Sequence, residues 1–199
     1  VYVVQGDVNM KIGNITHLGT VVVKGNVEDG FKIKASGNIE VFGTVGKSEL
    51  DAEGEVIVHQ GITGKSEGKI LAGKTVWSKF IENAIVEVGD NVIATDGIIN
   101  SKVDANKRIV CMGRGKRARI VGGHLRAAEE IKAETFGSTA GSETIVEAGY
   151  DPKSKEQLVQ FEEKKAELDK DVQEVNLNIQ TLAKLRKKTK KLPPEKEQY

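Results

Sequence analysis

The chain has 199 residues, of which 38% are hydrophobic and 30% are charged, and its mean hydropathy is -0.34. This composition excludes a membrane-embedded protein and a disordered one, and 30 basic against 29 acidic side chains exclude a general attraction to nucleic acid. The single cysteine, Cys111, cannot form an internal disulfide. With no signal peptide and no long apolar run in the sequence, we expect a cytoplasmic protein.

Glycine and proline divide the chain into two parts. All 22 glycines lie between Gly6 and Gly149, whereas the three prolines follow at positions 152, 193 and 194. This change in backbone chemistry predicts a domain of residues 1–150 and a second segment of residues 151–199.

The glycine-rich part is a repeat. Blocks that begin at Gly19 and Gly37 match position by position, and further copies begin at Gly54, Gly73, Asp90 and Lys107, at spacings of 17 to 19 residues. The second position of the six copies reads Val21, Ile39, Val56, Thr75, Val92 and Ile109. The fourth position reads Val23, Val41, Val58, Trp77, Ala94 and Cys111, and the eighth reads Val27, Val45, Ile62, Ile81, Ile98 and Gly115.

Apolar columns at this spacing predict a mainly β, single-stranded parallel β-helix, in which each coil stacks its inward side chains on those of the next. At about 4.8 Å per coil, the rod would be roughly 30 to 40 Å long. A finer periodicity of six residues in the first coils indicates a triangular cross-section. A hairpin sandwich fits less well, because its turns would not keep identical columns at this spacing. The repeat itself leaves the handedness open, since right-handed crossovers are the default but six-residue beats are typical of left-handed acyltransferase helices.

The second segment has the pattern of a long helix. Asp151 and Pro152 supply an N-cap and a first helical residue, and apolar residues then recur in steps of three and four. We predict a coiled-coil arm of about 60 Å, as the first half of a truncated hairpin that pairs within the chain or with a second chain. Its seam consists of Leu158, Phe161, Leu168, Val172, Val175, Ile179 and Leu182.

Three stretches around the junction, together with the repeat, resemble a known family. They are the run from Gly122 to Ala133, the segment Phe136-Gly137-Ser138, and the run from Val146 to Pro152 before the helix. In these features the chain resembles the flagellar assembly protein A family, bacterial cytoplasmic proteins with a domain of unknown function. The resemblance implies a right-handed β-helix, a coiled-coil hairpin and a role in flagellar assembly or placement. It brings no catalytic residues.

The residue types that carry chemistry are sparse. The three histidines are far apart in the sequence, at His17, His59 and His124, and match neither a catalytic pair nor a metal-ligand pattern. Cys111 falls in the inward column with Trp77 and Ala94 and is interpreted as a core residue. The aspartates in successive turns, Asp90, Asp96 and Asp104, are interpreted as turn caps. We therefore expect that the protein is not an enzyme and that it binds neither a metal nor a cofactor.

Two clusters of basic residues stand out. The first is a candidate docking patch for an anionic partner, formed by Arg114, Lys116, Arg117, Arg119 and Arg126. It has no interleaved aromatic residues, so nucleic acid is not expected. The second cluster, near the predicted helix end at Lys184 to Lys191, suits the helix dipole and predicts at most weak association with a membrane surface.

These observations favour a non-catalytic scaffold or adaptor that positions other proteins, with flagellar or signalling proteins as partners. The alternative is a self-assembling structural protein similar to the polymer-forming bactofilins, with homo-oligomers formed through the β-helix ends or the coiled coil. A left-handed acyltransferase is a more remote alternative.

Overall fold

A computed structural model describes residues 1–113, 118–139, 141–149 and 152–189. The chain divides into two compact units, Val1–Lys153 and Ser154–Tyr199. Among the described residues, the first unit contains fourteen strands, and the second contains one helix, α1 (Pro152–Thr189), whose first residues precede the boundary. The strands are β1 (Tyr2–Val4), β2 (Ile15–His17), β3 (Val21–Val23), β4 (Lys32–Ala35), β5 (Ile39–Val41), β6 (Glu49–Ala52), β7 (Val56–Ala72), β8 (Val76–Val88), β9 (Asn91–Ala105), β10 (Arg108–Cys111), β11 (Arg119–Ala127), β12 (Glu130–Ala133), β13 (Thr135–Phe136) and β14 (Thr144–Ala148).

Every strand pairing in the first unit is parallel, and the strands stack in about eight turns. The predicted β-solenoid is therefore confirmed. The long strands β7, β8 and β9 each continue round the corners of one coil, whereas the earlier coils are broken into short strands by glycine-containing corners. The right-handed winding stays a prediction from the resemblance.

The coils have three faces, which we number for reference. Face 1 is the ladder β1-β3-β5, continued by the first residues of β7, β8 and β9 and then by β10 and β12. Face 2 contains the bridges Val8–Val27–Val45–Ile62, then the middle of β7, β8 and β9, the start of β11, and β13. Face 3 contains β2, β4 and β6, the last residues of β7, β8 and β9, the second half of β11, and β14.

The core is a set of columns in which β-branched residues predominate. Face 2 stacks Val27, Val45, Ile62, Ile81, Ile98 and Ile120, each at most 1% exposed. Burying such a side chain stabilises the fold by about 1.5–3 kcal/mol, and β-branched side chains pack well on a pleated surface. Because each coil buries its residues only against its neighbours, the columns hold the coils together along the whole solenoid.

Two of the predicted columns are wrong in the coil of β8. Val76 stacks on Val56, and Ser78 stacks on Val58, so that Thr75 precedes the column and Trp77 points outward with 44% of its surface exposed. The reason lies in the preceding coil. A corner loop at residues 64–67 shifts the register between Thr63 and Gly68, and this coil is longer than the sequence alignment assumed.

The eighth-position column is also corrected at its last member. Ile120, and not Gly115, stacks on Ile98, because β11 begins only at Arg119, later in the sequence than the repeat spacing predicts. Gly115 itself lies outside the described residues. The remaining predicted members of the three columns are confirmed as buried.

Side-chain ladders stabilise the corners. At the corner before face 2, the backbone nitrogen of Asn26 donates to Asp7 Oδ1 at 2.6 Å, and the backbone nitrogen of Thr44 donates to Asn26 Oδ1 at 2.8 Å. Asn14 and Asn38 accept from the next coil in the same way, at 2.9 Å each. These contacts satisfy backbone donors that a strand ladder would otherwise leave unpaired at a turn.

Helix α1 begins at Pro152, the predicted first helical residue. The seam residues Leu158, Phe161, Leu168, Val172, Val175 and Ile179 are each 55–68% exposed, and Leu182 is half-buried. Pairing of this seam in a coiled coil stays a prediction. Among the described residues, no helix has the length and apolar character needed to cross a bilayer.

Candidate functional site

Only part of the predicted basic patch can be placed. Arg114, Lys116 and Arg117 lie outside the described residues. Arg119 begins β11 on face 2 and is exposed, so that its guanidinium is accessible to an anionic partner. The patch is thus represented on the described surface by Arg119 and by Arg126, which lies seven positions later on the same strand.

Arg126 is not available to a partner in the way that the sequence suggested. Its side chain is 9% exposed, and it donates from Nε to Asp104 Oδ1 and from Nη2 to Asp104 Oδ2, both at 2.6 Å. A bidentate pair between neighbouring coils holds the guanidinium plane in place. Arg126 therefore serves a contact between coils within face 3, and the docking patch itself stays a prediction.

The rest of face 3 carries a series of ion pairs between coils. Lys34 lies 2.9 Å from Asp51, and the hydrogen bond that it donates to this carboxylate raises the pKa of Lys34. Further pairs join Lys32 to Glu49 at 2.6 Å and Lys69 to Glu87 at 3.3 Å. All are exposed, so each contributes little to stability, and the face is a solvated and internally neutralised surface.

Cys111 lies in the core, as predicted. It stacks on Ala94, is fully buried, and burial raises the pKa of its thiol to about 11. A thiol with a raised pKa holds little thiolate near neutral pH, and the thiolate is the nucleophilic form. Cys111 is therefore a packing residue, although its predicted neighbour Trp77 does not share the column.

The three histidines are on separate parts of the solenoid. His59 lies 2.8 Å from Glu40 and stacks on Phe42 with ring centroids 4.5 Å apart. His17 is next to Tyr2, and His124 lies 3.4 Å from Glu147. The described residues contain no group of three or more metal-ligating side chains.

Two of the turn aspartates form ion pairs with basic side chains, and so does a lysine of the corner loop at residues 64–67. Asp90 pairs with Lys107 at 2.7 Å and Asp104 pairs with Arg126, while Lys65 of the corner loop pairs with Asp29. A depression of about 320 Å³ on face 3 is lined by three acidic residues, Asp51, Glu53 and Glu87. Its other lining residues are apolar or glycine. Three acids around a shallow surface provide neither a nucleophile with its base nor an oxyanion site.

The feature that sequence reasoning missed is the outward column of face 1. Its members, in coil order, are Val3, Val22, Glu40, Ile57, Trp77, Ile93, Val110 and Lys132. On face 3, the corresponding column is mostly charged: Thr16, Lys34, Asp51, Leu71, Glu87, Asp104, Arg126 and Glu147. In the sequence, this column corresponds to the third position of the repeat, which lies between the two inward positions.

The model of the Flagellar Assembly Protein A beta solenoid domain matches residues 1–199. The chain belongs to this family. Family membership confirms the resemblance carried by the junction motifs and accounts for the parallel solenoid. The description of the Flagellar Assembly Protein A family connects the chain with flagellar assembly and names no reaction.

Comparisons with curated proteins and with solved structures found no match. The Flagellar Assembly Protein A family match therefore provides the functional context, and the surfaces described above provide the residues on which a function can rest.

Proposed function

We propose that this protein is a non-catalytic scaffold of flagellar assembly, which binds and positions other proteins in the bacterial cytoplasm. The observation that carries the proposal is the family match over the whole chain. On the solenoid, Lys34, Lys107 and Arg126 each pair with an aspartate of a neighbouring coil. A stack of coils held by continuous columns is a rigid rod, and rigid rods suit spacing and presentation of partners.

Partner binding would use the outer surface, since the interior is filled by side chains. Arg119 provides an exposed positive charge at the start of β11, and α1 provides a long helix with exposed apolar residues along its seam. A positive site and an apolar helix face fit flagellar or signalling proteins with acidic and helical surfaces.

The proposal is tested in a flagellated bacterium whose own copy of the gene is deleted. Complementation with the wild-type gene should restore flagellar number and position, as counted by electron microscopy. Complementation with Leu168→Asp and Val175→Asp together should fail at normal protein levels, because charges in the seam prevent helix pairing. Glu167→Lys and Glu174→Lys, which change adjacent exposed positions of α1, provide the matched control. Normal flagella in the deletion strain would overturn the proposal.

A second candidate function is end-to-end self-assembly, and one observation favours it. Val146 continues the Leu125 column and Phe136 continues the Ile120 column, yet these two residues are 40% and 48% exposed in the last described coil. Apolar side chains at an open strand edge favour addition of another β-structure. Sedimentation velocity over about a hundredfold range of concentration separates the two functions, because a polymer continues to grow with concentration whereas a scaffold forms no species larger than one small oligomer.

A further inference from the structure

The outward column of face 1 contains an apolar run that the internal packing of the solenoid does not require. Ile57, Trp77, Ile93 and Val110 follow one another in four successive coils, each in register with the next. Trp77 is 44% exposed, and the other three residues are half-buried against their own ladder neighbours. Single exposed apolar side chains occur elsewhere on the solenoid, for example Met10 and Leu18, but a contiguous apolar stripe of four coils is typical of an interaction surface.

Charged residues bound this run at both ends, and their signs are opposite. Glu40 precedes Ile57 in the column, and Lys132 follows Val110. The column therefore has an acid, four apolar residues and a base in consecutive coils. Such a pattern is complementary to itself when it is reversed.

From this pattern we infer that face 1 binds face 1 of a second copy of the chain, with the two solenoid axes antiparallel. The two-fold axis runs along the strand direction, between the coils of Trp77 and Ile93. Trp77 then faces Ile93 of the other copy, and Ile57 faces Val110. Glu40 faces Lys132, and the symmetry repeats this ion pair at the other end of the interface.

The neighbouring outward positions support the same arrangement. Glu55 lies two residues before Ile57, and Arg108 lies two residues before Val110. Arg108 pairs with Glu129 of its own chain at 2.7 Å, and the axis that pairs these coils brings Glu55 of the other copy to the same guanidinium. The parallel alternative would place Glu40 against Glu40 and Lys132 against Lys132. Like charges at both ends would oppose it.

The available area predicts a weak dimer. Six coils at about 4.8 Å and a face about 16 Å wide give roughly 460 Å² per copy, or about 900 Å² in total, which is below the range of about 1,200–2,000 Å² for standard stable interfaces. We therefore expect reversible association that depends on protein concentration, or on a second contact that holds two copies together.

Trp77 is the only tryptophan of the chain and reports directly on this face. Acrylamide quenching of its fluorescence is measured for the full chain over about a thousandfold range of concentration around the micromolar level, with sedimentation velocity on the same samples. We expect quenching to be weakest at the highest concentration, where dimers form. Quenching that remains equally strong at every concentration would overturn the proposal.

Charge reversal tests the register without altering the immediate surroundings of Trp77. Glu40→Lys and Lys132→Glu should each weaken association about tenfold, because each variant places like charges together twice per dimer. The double variant, Glu40→Lys with Lys132→Glu, should return close to the wild-type affinity. Glu28→Lys, the same charge change at an exposed position beside face 2, is the matched control and should have no effect.

Two outcomes contradict the proposal even if the chain dimerises. A sedimenting dimer in which Trp77 is quenched as strongly as in the monomer would place the contact elsewhere, for instance on the α1 seam. The double variant should recover the dimer affinity that each single variant loses. If it does not, Glu40 and Lys132 do not face each other.

Discussion

Arg126 on β11 and Asp104 on β9 form a bidentate ion pair across two neighbouring coils, with both hydrogen bonds at 2.6 Å. The two side chains are 9% and 13% exposed, which makes this the most buried ion pair of the described residues. Removing Asp104 takes a bidentate partner from a guanidinium that is in a partly dehydrated position, and the loss of such a partner is destabilising.

Asp104→Ala should lower the free energy of unfolding by about 3 kcal/mol, whereas the double variant Asp104→Ala with Arg126→Met should lower it by less. The measurement is urea denaturation of both variants and of Arg126→Met alone. Asp51→Ala, which breaks an exposed pair on the same face, is the control and should cost less than about 1 kcal/mol. Equal losses in the free energy of unfolding for Asp104→Ala and Asp51→Ala would contradict a larger contribution from the buried pair.

The outward orientation of Trp77 predicts a different effect on stability from that of a buried residue in the next coil. Ile98 is fully buried in face 2, so Ile98→Ala should cost about 2–5 kcal/mol of stability. Trp77 points outward, so Trp77→Ala should cost less than about 1 kcal/mol at concentrations where the chain is monomeric. Thermal or urea unfolding followed by circular dichroism checks both values, and a large loss for Trp77→Ala would restore its predicted inward position.

Gly89 lies where two coils approach too closely for a side chain. A Cβ at this position would clash with the carbonyl oxygen of Gly73, which is backbone and cannot move aside, whereas a Cβ at Gly6 would meet nothing within 4 Å. Gly89→Ala should therefore destabilise the solenoid by about 1–3 kcal/mol. Gly6→Ala is the matched control and should be neutral or slightly stabilising, because alanine loses less backbone entropy on folding.

Cys111 should react with thiol reagents only when the coil opens. Its Sγ is buried and lies 3.8 Å from the carbonyl oxygen of Arg119, and its pKa is raised to about 11. At pH 8 we expect Ellman's reagent to label native protein at least about a hundredfold more slowly than urea-unfolded protein. Rapid labelling of the native chain would indicate that this end of the core is open.

The ion pair between Asp29 and Lys65 should contribute to stability only above the acid range. The hydrogen bond from the Lys65 side chain, helped by the backbone nitrogen of Lys47, lowers the pKa of Asp29. A carboxylate whose pKa is lower in the folded state stabilises the fold above its unfolded pKa, and this contribution is lost as the pH falls through the folded value. Asp29→Asn should therefore reduce stability at pH 7 and converge with wild type in acid. A constant difference across this range would contradict the ion pair.

Much of the architecture could be predicted from the sequence because the repeat is local and dense. Val21, Ile39 and Val56 recur at nearly constant spacing, and a column of this kind has few structural solutions other than a parallel solenoid. Pro152 is the first residue of α1, a position that its backbone chemistry favours, whereas the coiled-coil arm stays a prediction.

The candidate surfaces were harder to predict because they depend on register between coils. A corner loop of four residues displaced the alignment by one position and reversed the expected orientation of Trp77, since adjacent residues of a strand point to opposite faces. Arg126 was grouped with nearby basic residues because it is close to them in the sequence. Its actual partner, Asp104, is 22 residues away.

The spacing of glycine and β-branched residues is enough to predict a stack of parallel strands, because these residues act within a few positions of themselves in the chain. Which side chains of neighbouring coils meet depends on the tertiary structure, because the pairing of coils depends on the summed lengths of every corner between them. The pairing of coils joins Arg126 to Asp104 on face 3 and leaves Trp77 in an apolar stripe on face 1.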